Sequence, residues 1–118
     1  MLKEILGALF GSGSAGVKNV SAKEAAQFVK DKNAQFIDVR SAGEYQSGHA
    51  KKAANFPLDT LARDLDRLDK SKPTYVICQS GMRSLRGASI LDEAGFKEVY
   101  NVTGGTVAWK MAGLETER

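Results

Sequence analysis

The run Gln35-Phe-Ile-Asp-Val39 constrains this chain more than any other stretch. It is short and largely apolar, and it lacks the strict polar alternation of a half-exposed strand. It therefore predicts a strand covered on both faces, as in a parallel sheet. Thr74 to Ile77 is a second strand of similar character, introduced by Pro73. Parallel neighbours need crossover segments between them, and the intervening stretches read as helices.

Those helices carry their own start signals. Ser21-Ala-Lys-Glu24 and Ser41-Ala-Gly-Glu44 both have capping-box spacing, in which the serine accepts from the Glu backbone amide and the Glu side chain reaches back. The first opens a helix with Ala25, Phe28 and Val29 on its buried stripe, ending near Lys32-Asn33. The second opens a short helix ending before Gly48. Leu58, Leu61, Leu65 and Leu68 recur at helical spacing and predict an amphipathic helix over 58–69. Leu85, Ala88, Ile90 and Leu91 predict another from about Arg83 to Ala94, stopped by Gly95. Val17–Val20, Ala53–Phe56 and Val99–Tyr100 are shorter strand candidates, and Gly104-Gly105 introduces a last helix through Trp109 and Met111. Strands alternating with helices across short connections predict an α/β domain with a largely parallel sheet. In such sheets ligands bind beyond the carboxyl ends of the strands.

At 118 residues the chain has room for one domain. Its single Cys and single His exclude an internal disulfide and make a poor zinc site, so no metal and no cofactor is expected and a reducing cytoplasm is the default compartment. A net charge of +3 is mild and scattered, with Lys51-Lys52 and Arg83/Arg86 as local groupings. That argues against a nucleic-acid partner and suits a small anionic substrate. At the N-terminus, Leu2, Ile5, Leu6 and Leu9 share one helical face, followed by the flexible Gly11-Ser-Gly-Ser-Ala-Gly16. Residues 1–16 thus read as a short amphipathic segment and linker, too short to span a membrane, with a cleaved export signal as the alternative. The remaining chain divides into a domain over 17–114 and a tail over 115–118. Oligomeric state is left open.

The only cysteine ends a strand, in Tyr75-Val-Ile-Cys-Gln-Ser-Gly-Met-Arg-Ser84. Gln79, Ser80 and Gly81 are not core residues, and glycine admits the backbone angles of a tight loop. If the loop coils back, successive amides converge on the sulfur, and the next helix adds its N-terminal dipole. Both effects favour thiolate over thiol and make Cys78 a nucleophile at neutral pH. Ser80 and Ser84 can donate to the same anion, and Arg83 can bind an oxyanion such as a sulfonate. Four residues separate Cys78 from Arg83. A cysteine phosphatase places one more between its cysteine and arginine, so this loop suits something smaller than phosphate, such as one transferred sulfur atom.

Three stretches carry a resemblance: FIDVRSAGEYQSGHAKKAANFPL (36–58), YVICQSGMRSLRGASILDEAGF (75–96) and VYNVTGGTVAWKMAG (99–113). In their order and spacing the chain, from about Val17 to Leu114, resembles a single-domain rhodanese. The resemblance implies a rhodanese-like fold, a five-stranded parallel sheet flanked by helices on both faces. It also implies Cys78 as catalytic residue and an active-site loop from Cys78 to Arg83. Two positions depart from the family pattern. Gly48-His49-Ala50 stands where Gly-His-Ile is usual, and Met82 makes the loop mouth more apolar.

The activity implied is sulfurtransfer in two steps. Cys78 takes the outer sulfur of a thiosulfate-like donor as a persulfide, and a small-molecule or protein thiol, or cyanide, removes it. A non-catalytic interaction or regulatory module on the same fold is the alternative, with a phosphatase or arsenate reductase disfavoured by loop length. His49 is the only histidine, and Asp38 and Arg40 end a central strand. All three read as structural supports: a turn held by hydrogen bonds, and an ion pair organising neighbouring loops. Glu44 and Tyr45 read as cap and packing, and Trp109 as a core anchor.

Overall fold

The computed structural model describes residues 16–118. The amphipathic segment expected at the N-terminus, its linker short of Gly16 and the alternative export signal lie outside the described residues. Strand β1 (Val17–Val20) leads into α1 (Ala22–Phe28), then β2 (Gln35–Asp38), α2 (Ala42–Gln46), β3 (His49–Ala50) and β4 (Ala54–Asn55). Helix α3 (Leu58–Leu61) continues as a 3-10 helix over Ala62–Arg67. After it come β5 (Thr74–Ile77), α4 (Met82–Glu93), β6 (Val99–Val102), α5 (Gly105–Met111) and β7 (Thr116–Glu117).

Five strands form one parallel sheet in the order β1-β6-β5-β2-β4. Both faces are covered because alternate side chains of the central strands point opposite ways. Phe36, Tyr75 and Ile77 pack with Ala22 and Ala25 of α1, Val102 of β6 and Trp109 of α5. Ile37, Val76 and Cys78 pack on the other side with Leu61 of α3, Ala88 and Leu91 of α4, and Val99. Leu61, Val76 and Leu91 are fully enclosed, each burial stabilising the fold by about 1.5–3 kcal/mol. Trp109 anchors α5 by packing on Phe36 and donating its indole N–H to the Glu115 carbonyl at 2.7 Å. Among the described residues no helix is long and apolar enough to cross a membrane.

Both predicted capping boxes are present, each serine accepting from its Glu amide and each Glu returning to the serine amide. Helix α1 stops earlier than its apolar pattern, at Phe28, because the Asp31 carboxylate takes the Asn33 amide at 2.8 Å and turns the chain. The helix expected over 58–69 is α-helical only through Leu61. Its leucines still face the core beside α4, but the longer rise of the 3-10 turn stretches the segment by about 3 Å over six residues. That extra reach helps return the chain to the start of β5. The C-terminal residues, expected as a tail, instead place β7 antiparallel to β3, pairing His49 with Glu117 and Ala50 with Thr116.

Candidate active site

Cys78 follows the last residue of β5, at the carboxyl edge of the sheet, and the chain then turns at once into α4. Gly81 makes that turn with φ +103°, a left-handed conformation that side chains resist. The turn aims donors inward. The Gly81 amide points at Cys78 Sγ from 3.1 Å, and the Ser84 hydroxyl lies 3.3 Å from the sulfur. Burial, the largest single influence, pushes the Cys78 thiol up. Hydrogen bonding with the Ser84 hydroxyl and from the Ser84, Gly81 and Ser80 amides together outweighs it, so the thiol titrates below its ordinary value. Cys78 is only 1% exposed, so the sulfur sits beneath its own loop, with Gln79, Ser80 and Met82 exposed above it. A cysteine that merely filled the core would not draw peptide N–H groups toward its sulfur.

The loop is also held from behind, by residues to which sequence reasoning gave no role at the site. The Thr106 amide and hydroxyl both donate to the Cys78 carbonyl, at 2.8 and 3.0 Å, and the Val107 amide donates to the Gln79 carbonyl at 3.2 Å. The first turn of α5 therefore takes the loop's carbonyls and leaves its amides facing the sulfur. This contact needs Gly105. A Cβ there would lie 2.4 Å from the Cys78 carbonyl oxygen and 2.6 Å from the Gln79 carbonyl carbon. The Gly104-Gly105 pair was the available signal, read from sequence only as a helix start.

Asp38 and Arg40 form a buried ion pair at the end of β2, with Arg40 Nη2 2.9 Å from the Asp38 carboxylate. The same guanidinium donates to the Gly48 carbonyl at 2.8 Å and to Gln79 Oε1 at 3.2 Å. One buried cation thus ties together the strand end, the Gly48 turn and the second residue of the loop. His49 makes its own contacts with Tyr45 and Glu117. Its ring stacks on Tyr45 with centroids 3.6 Å apart, Nδ1 meets the Tyr45 carbonyl at 2.9 Å, and Nε2 is 4.0 Å from Glu117. Ala50 is fully buried.

Arg83 extends from α4 to Glu44 in a bidentate pair at 2.7 and 2.8 Å. The guanidinium holds the Glu44 carboxyl down to about 2. Glu44, read from sequence as a helix cap, is that and also the partner of the loop's arginine. Among the described residues no cluster of His, Cys, Asp or Glu is arranged to hold a metal ion. A groove of about 430 Å³, lined by Lys30, Lys51, Trp109 and Leu114 among others, shares no residue with the loop.

Residues 21–112 match the model of the rhodanese-like domain. The chain belongs to the rhodanese-like domain family. It is 33% identical over 95 residues to the thiosulfate sulfurtransferase GlpE of Shewanella oneidensis, covering 80% of this chain and 94% of that one. To GlpE of Coxiella burnetii it is 37% identical over 93 residues, covering 79% and 87%. Among solved structures, the rhodanese-like domain protein of Staphylococcus aureus superposes with TM-score 0.74 at 30% identity, over 86% of this chain and 99% of that one. The Alr3790 protein of Anabaena gives 0.77 at 29% identity, over 83% and 80%. This rhodanese-like domain therefore shares its sheet and helices with solved rhodanese-like domains, and its relatives support a sulfurtransferase activity.

Proposed function

We propose that this rhodanese transfers sulfane sulfur from a thiosulfate-like donor to a thiol or cyanide acceptor through a persulfide on Cys78, in the cytoplasm. The observation that carries the reading is the cradle itself: amides of Ser80, Gly81 and Ser84 and the Ser84 hydroxyl all favour an anionic sulfur at Cys78. In the first step the Cys78 thiolate attacks the outer sulfur of thiosulfate. The donor's S–S bond breaks, its electron pair leaves with sulfite, and Cys78 carries a persulfide anion. In the second step an acceptor thiolate or cyanide attacks the outer sulfur, and the electron pair returns to Cys78 as thiolate.

Loop residues 79–84 hold the anion in both states, so little reorganisation accompanies transfer. Gln79, Ser80, Gly81 and Met82 form the rim, Ser84 donates from the base, and Arg83 receives the donor's sulfonate. Asp38, Arg40 and His49 act as supports and do not exchange protons with substrate. With one cysteine in the chain, no second thiol within it can resolve the persulfide as a disulfide, so the acceptor comes from outside. No cofactor enters either step.

A non-catalytic interaction module has no need of a cradled thiol, and a phosphatase needs a wider loop. Incubation with thiosulfate followed by intact mass measurement decides among them. The expected result is a gain of one sulfur atom with release of sulfite, absent in Cys78→Ser. No adduct on the wild-type protein, with or without hydrolysis of an aryl phosphate, overturns the proposal.

A further inference from the structure

Behind Cys78 lies a file of hydrogen-bonding side chains that leads out of the core. Cys78 Sγ is 3.3 Å from Ser84 Oγ, which is fully buried and donates to Asn101 Oδ1 at 2.5 Å. Asn101 is 4% exposed and its Nδ2 donates to Asn19 Oδ1 at 3.1 Å. Asn19 and Asn101 sit opposite each other in the β1–β6 register, and Asn19 is exposed. The file therefore begins at the sulfur and ends in water.

Its polarity is the informative part. A serine hydroxyl has one proton. While that proton points to Asn101 Oδ1, Ser84 can only accept from Cys78, which serves the protonated thiol. A thiolate or persulfide anion needs the Ser84 proton turned toward sulfur. Asn101 Oδ1 would then face a Ser84 lone pair at very close range, with no proton between them. An amide can resolve this because it carries a donor and an acceptor on one planar group. Rotating Asn101 by a half turn brings its Nδ2 to Ser84, and the exposed Asn19 can turn likewise at little cost because water meets either orientation.

The geometry points to Asn101 as a positioning residue that lets Ser84 reverse its hydrogen bond when Cys78 becomes anionic, with Asn19 as the solvent end of the relay. The inference rests on Cys78 being the nucleophile of the proposed transfer. The cation that interacts with the charge at Cys78 is Arg83 on α4, and beyond Gln79 stands the Arg40–Asp38 pair. From β6 and α5 the hydrogen-bonding neighbours are the uncharged Asn101 and Thr106. The relay thus adds a neutral, switchable contribution to a site whose fixed charges lie on the other elements.

The test is the rate of iodoacetamide alkylation of Cys78 against pH, which reads thiolate directly and needs no sulfur transfer. Asn101→Asp supplies an acceptor without a donor and holds the Ser84 proton away from sulfur. It is expected to slow alkylation at neutral pH roughly tenfold and move the profile upward. In a Ser84→Ala background the same substitution should have little further effect, whereas a simple charge effect would persist there. A loss that persists in that background, or an unchanged profile in Asn101→Asp alone, overturns the relay. Should the buried carboxylate prevent folding, the wild-type protein still decides. Its Asn101 side-chain amide resonances are expected to shift with the Cys78 titration, and resonances that stay constant across it overturn the inference. If thiosulfate loads no sulfur yet Asn101→Asp still slows alkylation, the transfer reading falls and the relay stands. If sulfur loads and alkylation is unchanged, the relay falls alone.

Discussion

Arg83 and Glu44 meet through two parallel hydrogen bonds, of 2.7 and 2.8 Å, at the mouth of the Cys78 loop. The pair joins the first turn of α4 to the first turn of α2, so one residue orients the loop's arginine and caps a neighbouring helix. Under the proposed transfer, a donor's sulfonate would compete with this carboxylate for the same fork of N–H groups.

Removing the competitor while keeping the cap should favour the donor. Glu44→Gln retains a capping-box side chain and deletes the charge. The Michaelis constant for thiosulfate is expected to fall severalfold. Arg83→Ala should raise it, and should impair thiosulfate more than an uncharged persulfide donor. Steady-state kinetics with both donors checks this, and equal changes for the two would remove the sulfonate-binding role.

The same pair has a pH signature. The Glu44 carboxyl is held down to about 2 from an ordinary 4.5, so its folded-state value is depressed. Its contribution to stability is therefore fully present above about 4.5 and is lost as pH falls through about 2. Urea denaturation of wild type and Glu44→Gln should show a constant difference at neutral pH that shrinks toward zero in strong acid. A difference that grows on acidification contradicts the pairing.

Cys78 should ionise at lower pH than a free cysteine. Its alkylation profile is expected to have a midpoint below that of a free cysteine, shifted back upward in Ser84→Ala, which removes one of the contributions that lower it. A wild-type midpoint at or above the free-thiol value would mean that burial dominates after all.

Gly105→Ala tests the support behind the loop. Its Cβ would enter the Cys78 carbonyl from 2.4 Å at φ +56°, so a loss of at least about 2 kcal/mol is expected together with loss of sulfur loading. Gly43→Ala is the contrast. It lies within α2 with nothing within 4 Å of the new methyl and should be neutral or stabilising by up to about 1 kcal/mol. Denaturation midpoints for the two variants should move in different directions or differ clearly in size.

Arg40→Met leaves the Asp38 carboxylate buried without its cation, which should destabilise the fold by about 3–5 kcal/mol. Gln79→Ala removes only the partly buried tether to Arg40 and should change stability by less than about 1 kcal/mol. Similar losses for both would show that the tether, rather than the ion pair, carries the stability.

Local rules account for the features legible in the sequence. Both capping boxes are formed within a few residues of chain, so Ser21 with Glu24 and Ser41 with Glu44 were legible as spacing. The alternation of Phe36 and Ile37 to opposite faces follows from strand period, and the turn at Gly81 follows from what only glycine tolerates. The early stop of α1 at Phe28 and the 3-10 continuation after Leu61 were not legible, because the leucine and alanine periodicity is nearly the same either way.

The sequence by itself determined the parallel α/β architecture, the cysteine at a strand end and the four-residue spacing to Arg83, since each depends on neighbours along the chain. Tertiary structure alone decided that Glu44 takes Arg83, that Thr106 holds the Cys78 carbonyl, that Asn101 backs Ser84, and that the last residues pair with His49 and Ala50. Those partners lie 17 to 68 residues apart, and only the folded sheet brings them within hydrogen-bond range. Side-chain identity states what each group can donate or accept, whereas distance in space decides which of them meet.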